Sequence, residues 1–234
     1  MLVNMSRVTK VFSSVAQKYD LMNDVMSLGI HRIWKRIAIE CCALKPGQIV
    51  LDLAGGSGDL TIRSAPIVGN SGKIILADYN NAMLSVAQNR LIDAGIVGNV
   101  ELVQADAQNL PFKANSFDCI IIGFGLRNIP DKLRALQSMQ RVLRPGGRVI
   151  ILEFSKVTID PLDKIYQAYS QHIIPKLGEL ISADKASYQY LVDSIKEHPD
   201  QDTLLEIMQQ AKFADCSYKN LNAGIVAIHT GYKY

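Results

Sequence analysis

The chain has 234 residues, a length that fits one domain with an embellishment. Hydrophobic residues make up 48% of it and charged residues 20%, a balance typical of a globular protein with a substantial core. The formal net charge of +3 is too small to indicate nucleic acid as a partner. No apolar run approaches the roughly 20 residues that a membrane-spanning helix needs.

The first part of the chain shows helical patterning, which predicts an N-terminal cap over residues 5–45 without a secretory signal. The cysteines are Cys41, Cys42, Cys119 and Cys216. They form no CxxC pair and have no obvious metal-ligand partner. We therefore expect reduced thiols, a cytoplasmic protein and no metal site.

From about residue 48, short β-branched runs alternate with amphipathic segments of helical length. The predicted strands cover residues 48–54, 72–79, 99–106, 116–124 and 147–154, and the clearest helices cover 81–95 and 131–143. This alternation predicts right-handed βαβ units and an α/β fold with a parallel sheet. The runs are almost continuously apolar, as expected when both faces of the sheet are covered.

The end of the chain departs from this alternation. Residues 155–200 read as a helical insertion after the fifth strand, and residues 202–213 as another helix that covers the sheet. Residues 216–234 then predict two strands around Ala223–Gly224, so that at least one antiparallel strand lies at the edge. We predict a single domain over residues 1–234, with the cap and the insertion as its additions.

The stretch "LDLAGGSGDL", residues 51–60, predicts a glycine-rich turn between the first strand and a helix. A dinucleotide fingerprint needs G-x-G-x-x-G, but Thr61 stands where Gly56 and Gly58 require a third glycine. Asp52 would be awkward beside a pyrophosphate and suits a cation, such as the amino group or sulfonium of a methionine moiety. A tight turn without any ligand is the alternative.

An acid followed by alternating glycines is the first motif of the class I S-adenosylmethionine (SAM) methyltransferases, which this stretch resembles. Here the motif reads Asp52, Ala54, Gly56, Gly58, with alanine in place of the first glycine. The resemblance implies a Rossmann-like three-layer sandwich around a mostly parallel seven-stranded sheet, with an antiparallel edge strand near the C-terminus. It also implies SAM as co-substrate, bound in part by Ser57 of the same turn.

Acids also follow the second and third predicted strands. Asp78, with Tyr79 beside it, could accept hydrogen bonds from both ribose hydroxyls, or could simply cap a helix. The resemblance implies that Asp106 faces the adenine amino group while the N–H of Ala107 faces a ring nitrogen. "LRPGGRVII", residues 143–151, adds a PGG turn before the fifth strand that is typical of the same class.

The segment after the fourth strand, "GFGLRNIPD" at 123–131, lacks the [DNS]-P-P-[YF] motif of many amine methyltransferases and favours carbon or oxygen acceptors. "YDLMNDVMSLGIHRIWK" at 19–35 resembles a signature of the ubiquinone/menaquinone biosynthesis C-methyltransferase family. "FGLRN", "RVLRPGGR", "LEFSK" and "HPDQDTL" also resemble it, so that the likeness covers nearly the whole chain. Gly123 departs from the family, which often has a serine near the cofactor there.

The resemblance implies a polyprenylated quinol as methyl acceptor, either demethylmenaquinol or a methoxy-benzoquinol precursor. Candidate catalytic residues are Arg127, Asn128, His31 and Tyr19, with Asn23, Asp184, Tyr188 and Tyr190 as further residues of the acceptor site. Arg127 could stabilise a phenolate or hold a water that acts as base, or only pair with Asp131 or a cap carboxylate. Histidine titrates near ~6.5, which suits His31 as a base, unless it merely packs the cap with Trp34.

The insertion also carries Tyr166, Tyr169 and Ile173, which line either a tunnel for the isoprenoid tail or the edge of the sheet. We expect no nucleic acid as a partner. The further possibilities are a peripheral position on the inner face of the cell membrane, contact with a quinone-biosynthesis complex, and a homodimer. The competing functions are a SAM-dependent methyltransferase that acts on another small aromatic or lipid substrate, a nicotinamide-dependent oxidoreductase and a lipid-binding scaffold.

Overall fold

The computed structural model describes residue 27, residues 29–157 and residues 185–234, except for the side chains of 185–188. The helices of this part are α1 His31–Cys42, α2 Asp59–Val68, α3 Asn81–Asp93, α4 Lys132–Val142, α5 Lys185–Glu197 and α6 Gln201–Gln210. The strands are β1 Ile49–Leu53, β2 Lys73–Asp78, β3 Val100–Gln104, β4 Phe117–Gly123, β5 Leu143–Phe154, β6 Ala214–Leu221 and β7 Val226–Tyr232.

The seven strands form one sheet in the order β3-β2-β1-β4-β5-β7-β6. Strands β1 to β5 run parallel, whereas β7 is antiparallel to both β5 and β6. The antiparallel strand near the C-terminus is confirmed, and β6 separates it from the open edge. Because β1 to β5 all end on the same side, the loops that follow them share one rim of the sheet, which is where ligands bind in open α/β sheets.

Helices cover both faces of the sheet, which explains why the strands read as continuous apolar runs. Val50 belongs to the apolar cluster on one face, together with side chains of α1 and α2. Its neighbours Leu51 and Leu53 belong to the cluster on the other face, which α4 and α6 complete. The fold is therefore the predicted three-layer sandwich.

Strand β5 begins earlier than the sequence indicates, at Leu143 instead of at residue 147. Leu143 pairs with Phe117, and the next pair joins Arg148 to Cys119, so the PGG segment lies in an irregularity within the strand. Gly146, with a φ of 80°, supplies the left-handed conformation that this irregularity needs. The prediction that this segment is a turn before the strand is wrong.

Among the described residues, helix α1 belongs to the predicted N-terminal cap, and helix α5 belongs to the predicted insertion. Among the described helices, none is long and apolar enough to cross a bilayer. Cys41, Cys42, Cys119 and Cys216 are all free thiols, as predicted.

Candidate functional site

The glycine-rich turn joins β1 to α2 and carries backbone that only small residues adopt easily. Ala54, Gly56 and Gly58 have φ angles of 51°, 56° and 81°. Gly58 directly precedes α2, so a larger residue would strain the start of that helix. A Cβ on Gly55 would lie 2.8 Å from Cγ of Leu76, which shows how closely the turn packs on β2.

Asp78 ties this turn to the end of β2. Its Oδ2 accepts a hydrogen bond from the N–H of Gly56 at 2.9 Å, and its Oδ1 accepts one from the N–H of Asn80 at 2.8 Å. Asn80 itself caps α3, because its Oδ1 accepts from the N–H of Ala82 at 2.9 Å. The alternative that Asp78 is only a helix cap is therefore wrong.

A second contact holds the turn from the side of α3. Nη1 of Arg90 donates to the backbone oxygen of Ser57 at 2.9 Å and to its Oγ at 2.7 Å. Ser57 is buried. Sequence reasoning missed Arg90, because a lone arginine near the end of an amphipathic helix reads as a solvent-exposed residue.

Asp52 is a buried carboxylate with only 1% of its surface exposed. Its Oδ2 accepts a hydrogen bond from Oγ1 of Thr61 at 2.6 Å, while Oδ1 has no hydrogen-bond partner within the described residues. Burial raises the pKa of Asp52 to about 7, against the lowering effect of Thr61 and Lys35. Such a group is stabilised by an arriving cation or donor. The Asp52 side chain therefore fits the cationic methionine end of SAM.

Thr61 and Lys35 are residues of the site that sequence reasoning missed. The glycine motif marks Thr61 only as the position of a missing glycine, yet the Thr61 hydroxyl donates a hydrogen bond to Asp52. Lys35 extends from α1, and its Nζ lies 2.8 Å from Oδ2 of Asp59, the first residue of α2. Burial raises the pKa of Asp59, but Lys35 and Arg63 outweigh it and lower the pKa overall. The cap helix is thus joined by an ion pair to the helix that follows the turn.

The rim at β3 carries Asp106 and Ala107. Asp106 caps a 3-10 turn, Ala107–Asn109, by accepting from the N–H of Gln108 at 2.9 Å through Oδ1. The Ala107 side chain is buried, whereas Tyr79 at the neighbouring β2 end is 44% exposed. The described geometry brings Asp52, Asp78 and Asp106 to the ends of three adjacent parallel strands, as the sequence predicted.

Gly123 ends β4 next to the glycine-rich turn. A Cβ at this position would lie 2.7 Å from Cδ1 of Leu60, the second residue of α2. The end of a leucine side chain can change rotamer, so a serine here requires Leu60 to turn aside. Leu60 can therefore occupy its present position only because Gly123 has no side chain.

Arg127 lies in the 3-10 turn Leu126–Asn128 after β4 and is 4% exposed. Its Nη1 lies 2.9 Å from Oε1 of Glu153, near the end of β5, and its backbone N–H donates to Oε2 of the same residue at 3.1 Å. Nη1 also donates to the backbone oxygen of Phe124. The predicted pairing of Arg127 with Asp131 is wrong, because Asp131 instead caps α4. The cap carboxylates of Asp20 and Asp24 lie outside the described residues, so that alternative stays a prediction.

An aromatic cluster borders this ion pair. The guanidinium of Arg127 lies 5.4 Å from the ring centre of Phe154, and the Phe124 and Phe154 rings lie 4.9 Å apart. Trp34 completes the cluster, and its Nε1 donates to Oδ1 of Asn222 at 2.7 Å. Trp34 is therefore a packing residue, in agreement with the alternative that it only packs the cap. His31, one turn earlier in α1, is also buried.

Asn128 is 9% exposed and contacts the insertion. Its Oδ1 accepts a hydrogen bond from the hydroxyl of Tyr190, in α5, at 3.0 Å. Of the other candidates for the acceptor side, Tyr19, Asn23, Tyr166, Tyr169, Ile173 and Asp184 lie outside the described residues, as does the side chain of Tyr188.

The mixed sheet, with β7 antiparallel beside β5 and a glycine-rich turn after β1, defines the class I SAM-dependent methyltransferase fold. Solved structures with this fold include a SAM-dependent methyltransferase from Thermotoga maritima, with a TM-score of 0.67 and 18% identity over 96% of this chain and 99% of that chain. Another is a Haemonchus contortus phosphoethanolamine N-methyltransferase in complex with SAM, with a TM-score of 0.59 and 18% identity over 81% of this chain and 49% of that chain.

Sequence similarity gives the family. Residues 1–233 match the profile of the ubiE/COQ5 methyltransferase family. The chain is 59% identical over 227 residues to a Klebsiella pneumoniae protein, and 58% identical over 228 residues to one from Coxiella burnetii. Both are named ubiquinone/menaquinone biosynthesis C-methyltransferase UbiE, and the matches cover 97% of this chain and 90% and 91% of those proteins. The chain belongs to the ubiE/COQ5 methyltransferase family, and the oxidoreductase alternative is wrong.

Proposed function

We propose that this protein transfers a methyl group from SAM to a ring carbon of a polyprenylated quinol, in the biosynthesis of menaquinone, ubiquinone or both. The observation that carries the proposal is the identity of 59% to a protein named for this C-methylation, over 97% of the chain. The site agrees with it, since its rim offers acids for a cationic co-substrate on one side and hydrogen-bond donors on the other.

The residues that hold SAM, in this proposal, follow the strand ends in order. Asp52, Gly56, Ser57 and Gly58 take the methionine end, Asp78 and Tyr79 the ribose, and Asp106 and Ala107 the adenine, with Gly123 beside the cofactor. The open Oδ1 of Asp52 supports the first of these contacts. SAM supplies an electrophilic methyl group on a sulfonium.

The residues of the other half act on the acceptor ring. Loss of a proton from a ring hydroxyl places negative charge on the ortho carbon, which then forms the new bond to the methyl group; that carbon afterwards releases its own proton. Asn128 and Arg127 stabilise the phenolate as hydrogen-bond donors. Arg127 keeps its proton, because the pKa of a guanidinium exceeds about 12, so His31 or a bound water takes the hydroxyl proton. Tyr19, a phenol whose pKa is ordinarily near ~10, acts as a hydrogen-bond donor to the ring.

A transfer assay tests this function. The protein is incubated with methyl-labelled SAM and a short-tail demethylmenaquinone or methoxy-benzoquinone, kept reduced in one arm and oxidised in the other. We expect label in the lipid extract of the reduced arm alone, because the oxidised ring lacks a hydroxyl to ionise. Absence of label from the reduced arm, with SAM bound, would contradict the proposal. A lipid profile of a deletion strain distinguishes naphthoquinol from benzoquinol as acceptor.

We further propose that the protein works peripherally on the inner face of the cell membrane, where a polyprenyl tail resides. The outer face of α1 supports this, because Ile33 is 49% exposed between the exposed residues Arg32 and Arg36. Flotation with vesicles that contain anionic lipid tests it, and Ile33→Glu should reduce the bound fraction. If Ile33→Glu binds the vesicles as well as the unchanged protein, the proposal is contradicted. It is also contradicted if the unchanged protein does not bind the vesicles at low salt. The tail tunnel at Tyr166, Tyr169 and Ile173, the contact with a biosynthetic complex and the homodimer stay predictions.

A further inference from the structure

A hydrogen bond joins the insertion to the turn that carries Arg127. The hydroxyl of Tyr190 donates to Oδ1 of Asn128 at 3.0 Å, across 62 residues of sequence. Asn128 is held from the backbone as well, because its N–H donates to the oxygen of Gly125 at 3.1 Å. The carboxamide of Asn128 is therefore fixed on its oxygen side.

The nitrogen side of the same carboxamide is open. Asn128 is more than nine-tenths buried, yet Nδ2 has no hydrogen-bond acceptor within the residues that the structure describes. Nδ2 is not among the described polar atoms that are shut off from solvent without a partner, so a ligand can reach it. Because the amide places oxygen and nitrogen on opposite sides, the Tyr190 hydroxyl leaves the two N–H donors as the groups available to a ligand.

We propose that Tyr190 is a positioning residue, which orients the Asn128 carboxamide so that Nδ2 donates a hydrogen bond to an ionised oxygen of the acceptor ring. This inference rests on the proposed function. A phenolate accepts hydrogen bonds and donates none, so an Asn128 amide turned the other way would bring two oxygens together. A donor to an ionised group is also about twice as strong as one to a neutral group. The contact therefore favours aromatic acceptors that ionise beside the methylated carbon.

A double-mutant cycle between Tyr190→Phe and Asn128→Ala tests whether Tyr190 acts through Asn128. Tyr190→Phe keeps the ring, and we expect kcat for the reduced quinol to fall about 3- to 10-fold, with the dissociation constant for SAM unchanged. The Tm should fall slightly, because the Asn128 carboxamide loses one hydrogen bond. In the Asn128→Ala protein, the same change should cost less than about 2-fold.

Tyr218→Phe is the matched control, because the Tyr218 hydroxyl donates to Asp202 at 2.8 Å in the C-terminal part of the chain. It should leave kcat unchanged. The pH profile adds a readout that a packing role does not move. If the donor stabilises the phenolate, Tyr190→Phe shifts the rising limb of kcat towards higher pH, because the ring hydroxyl becomes a weaker acid.

The outcomes separate the two claims. Suppose that the unchanged protein transfers label to the reduced quinol. If the effects of Tyr190→Phe and Asn128→Ala on kcat are then additive, or if the rising limb of the pH profile does not shift, the positioning role is overturned and the proposed function stands. If the unchanged protein transfers no methyl group to any reduced quinol, the proposed function fails and takes this inference with it.

Discussion

The two halves of the site are held together by different kinds of contact. In the glycine-turn half, residues 52–58 with Asp78 and Asp106, backbone N–H groups bind the carboxylates of Asp78 and Asp106. Oδ1 of Asp52 lacks a hydrogen-bond partner within the described residues. In the Arg127 half, residues 126–128 with Glu153 and Tyr190, side chains bind one another, and the positive charge of Arg127 meets the negative charge of Glu153.

This difference matches the two substrates. A half with an unsatisfied buried carboxylate suits a cationic co-substrate, since binding removes the cost of that burial. A half with a neutralised ion pair and an open amide donor suits a ring that arrives neutral and ionises during the reaction. The predictions below perturb one half at a time.

The largest effect is expected from Glu153→Gln in the Arg127 half. This change removes the carboxylate that faces the buried guanidinium of Arg127, so the free energy of unfolding should fall by about 3 kcal/mol. The quinol kcat should fall with it, because Arg127 loses its fixed position. Chemical denaturation and the transfer assay measure the two effects.

Glu101→Gln is the matched control, because its partner Lys73 lies at 2.6 Å but both side chains are about half exposed, at 50% and 54%. An exposed pair is worth about 0–1 kcal/mol. Equal losses of stability in the two variants would show that the Arg127–Glu153 pair has no special role.

In the glycine-turn half, Asp52→Asn should weaken SAM binding while it stabilises the ligand-free protein. The folded pKa of Asp52 is about 7, whereas an unfolded aspartate titrates near ~3.9. Its contribution to stability is therefore present below about pH 4 and is lost as the pH rises through about 7. The advantage of the variant should grow over that range and reach on the order of 2–4 kcal/mol at pH 8.

Calorimetry supplies the binding part of the same prediction. Loss of a charged partner should weaken SAM binding at least about tenfold, and binding to the unchanged protein should strengthen as the pH rises through about 7, with release of a proton. A variant that binds SAM as well as the unchanged protein would remove Asp52 from the methionine site.

A smaller effect is expected from Lys35→Met, which breaks the ion pair between the cap helix and α2. The side chains of Lys35 and Asp59 are 7% and 16% exposed, but Arg63 remains beside Asp59, so the loss should be about 1–2 kcal/mol. Lys35 also lowers the pKa of Asp52, so that the pH dependence of SAM binding should move to higher pH. Arg36→Met, which breaks an exposed pair with Glu40, should do neither.

The smallest effect is expected from Arg90→Met, which removes the side-chain contact with Ser57. The turn keeps its hydrogen bond to Asp78, so we expect SAM binding to weaken only about 2- to 5-fold. Arg90→Lys keeps a side-chain donor, so its affinity for SAM should lie between those of the unchanged protein and Arg90→Met. A kcat change without a change in SAM affinity would contradict this role.

The glycine-turn half was largely predictable from the sequence, because its residues are consecutive or end adjacent strands. The Arg127 half was less so. Glu153 stands 26 residues from Arg127, and only the parallel pairing of β4 with β5 brings the strand ends together. An acid near the end of the fifth strand was nevertheless a usable signal for a partner of Arg127. The Tyr190 contact had no such signal, because it depends on how α5 packs on the turn.

The most direct test of the account is the position of the transferred carbon. Wild-type protein is supplied with SAM that carries a ¹³C-methyl group and, in separate samples, with reduced demethylmenaquinone or the reduced methoxy-benzoquinone, and each product is examined by NMR. The account predicts a methyl signal on a ring carbon ortho to a hydroxyl when the wild-type protein is used. It predicts no such signal with the Asp52→Asn protein at the same SAM concentration. A ¹³C-labelled methoxy signal, or no ¹³C in either quinone, would contradict it.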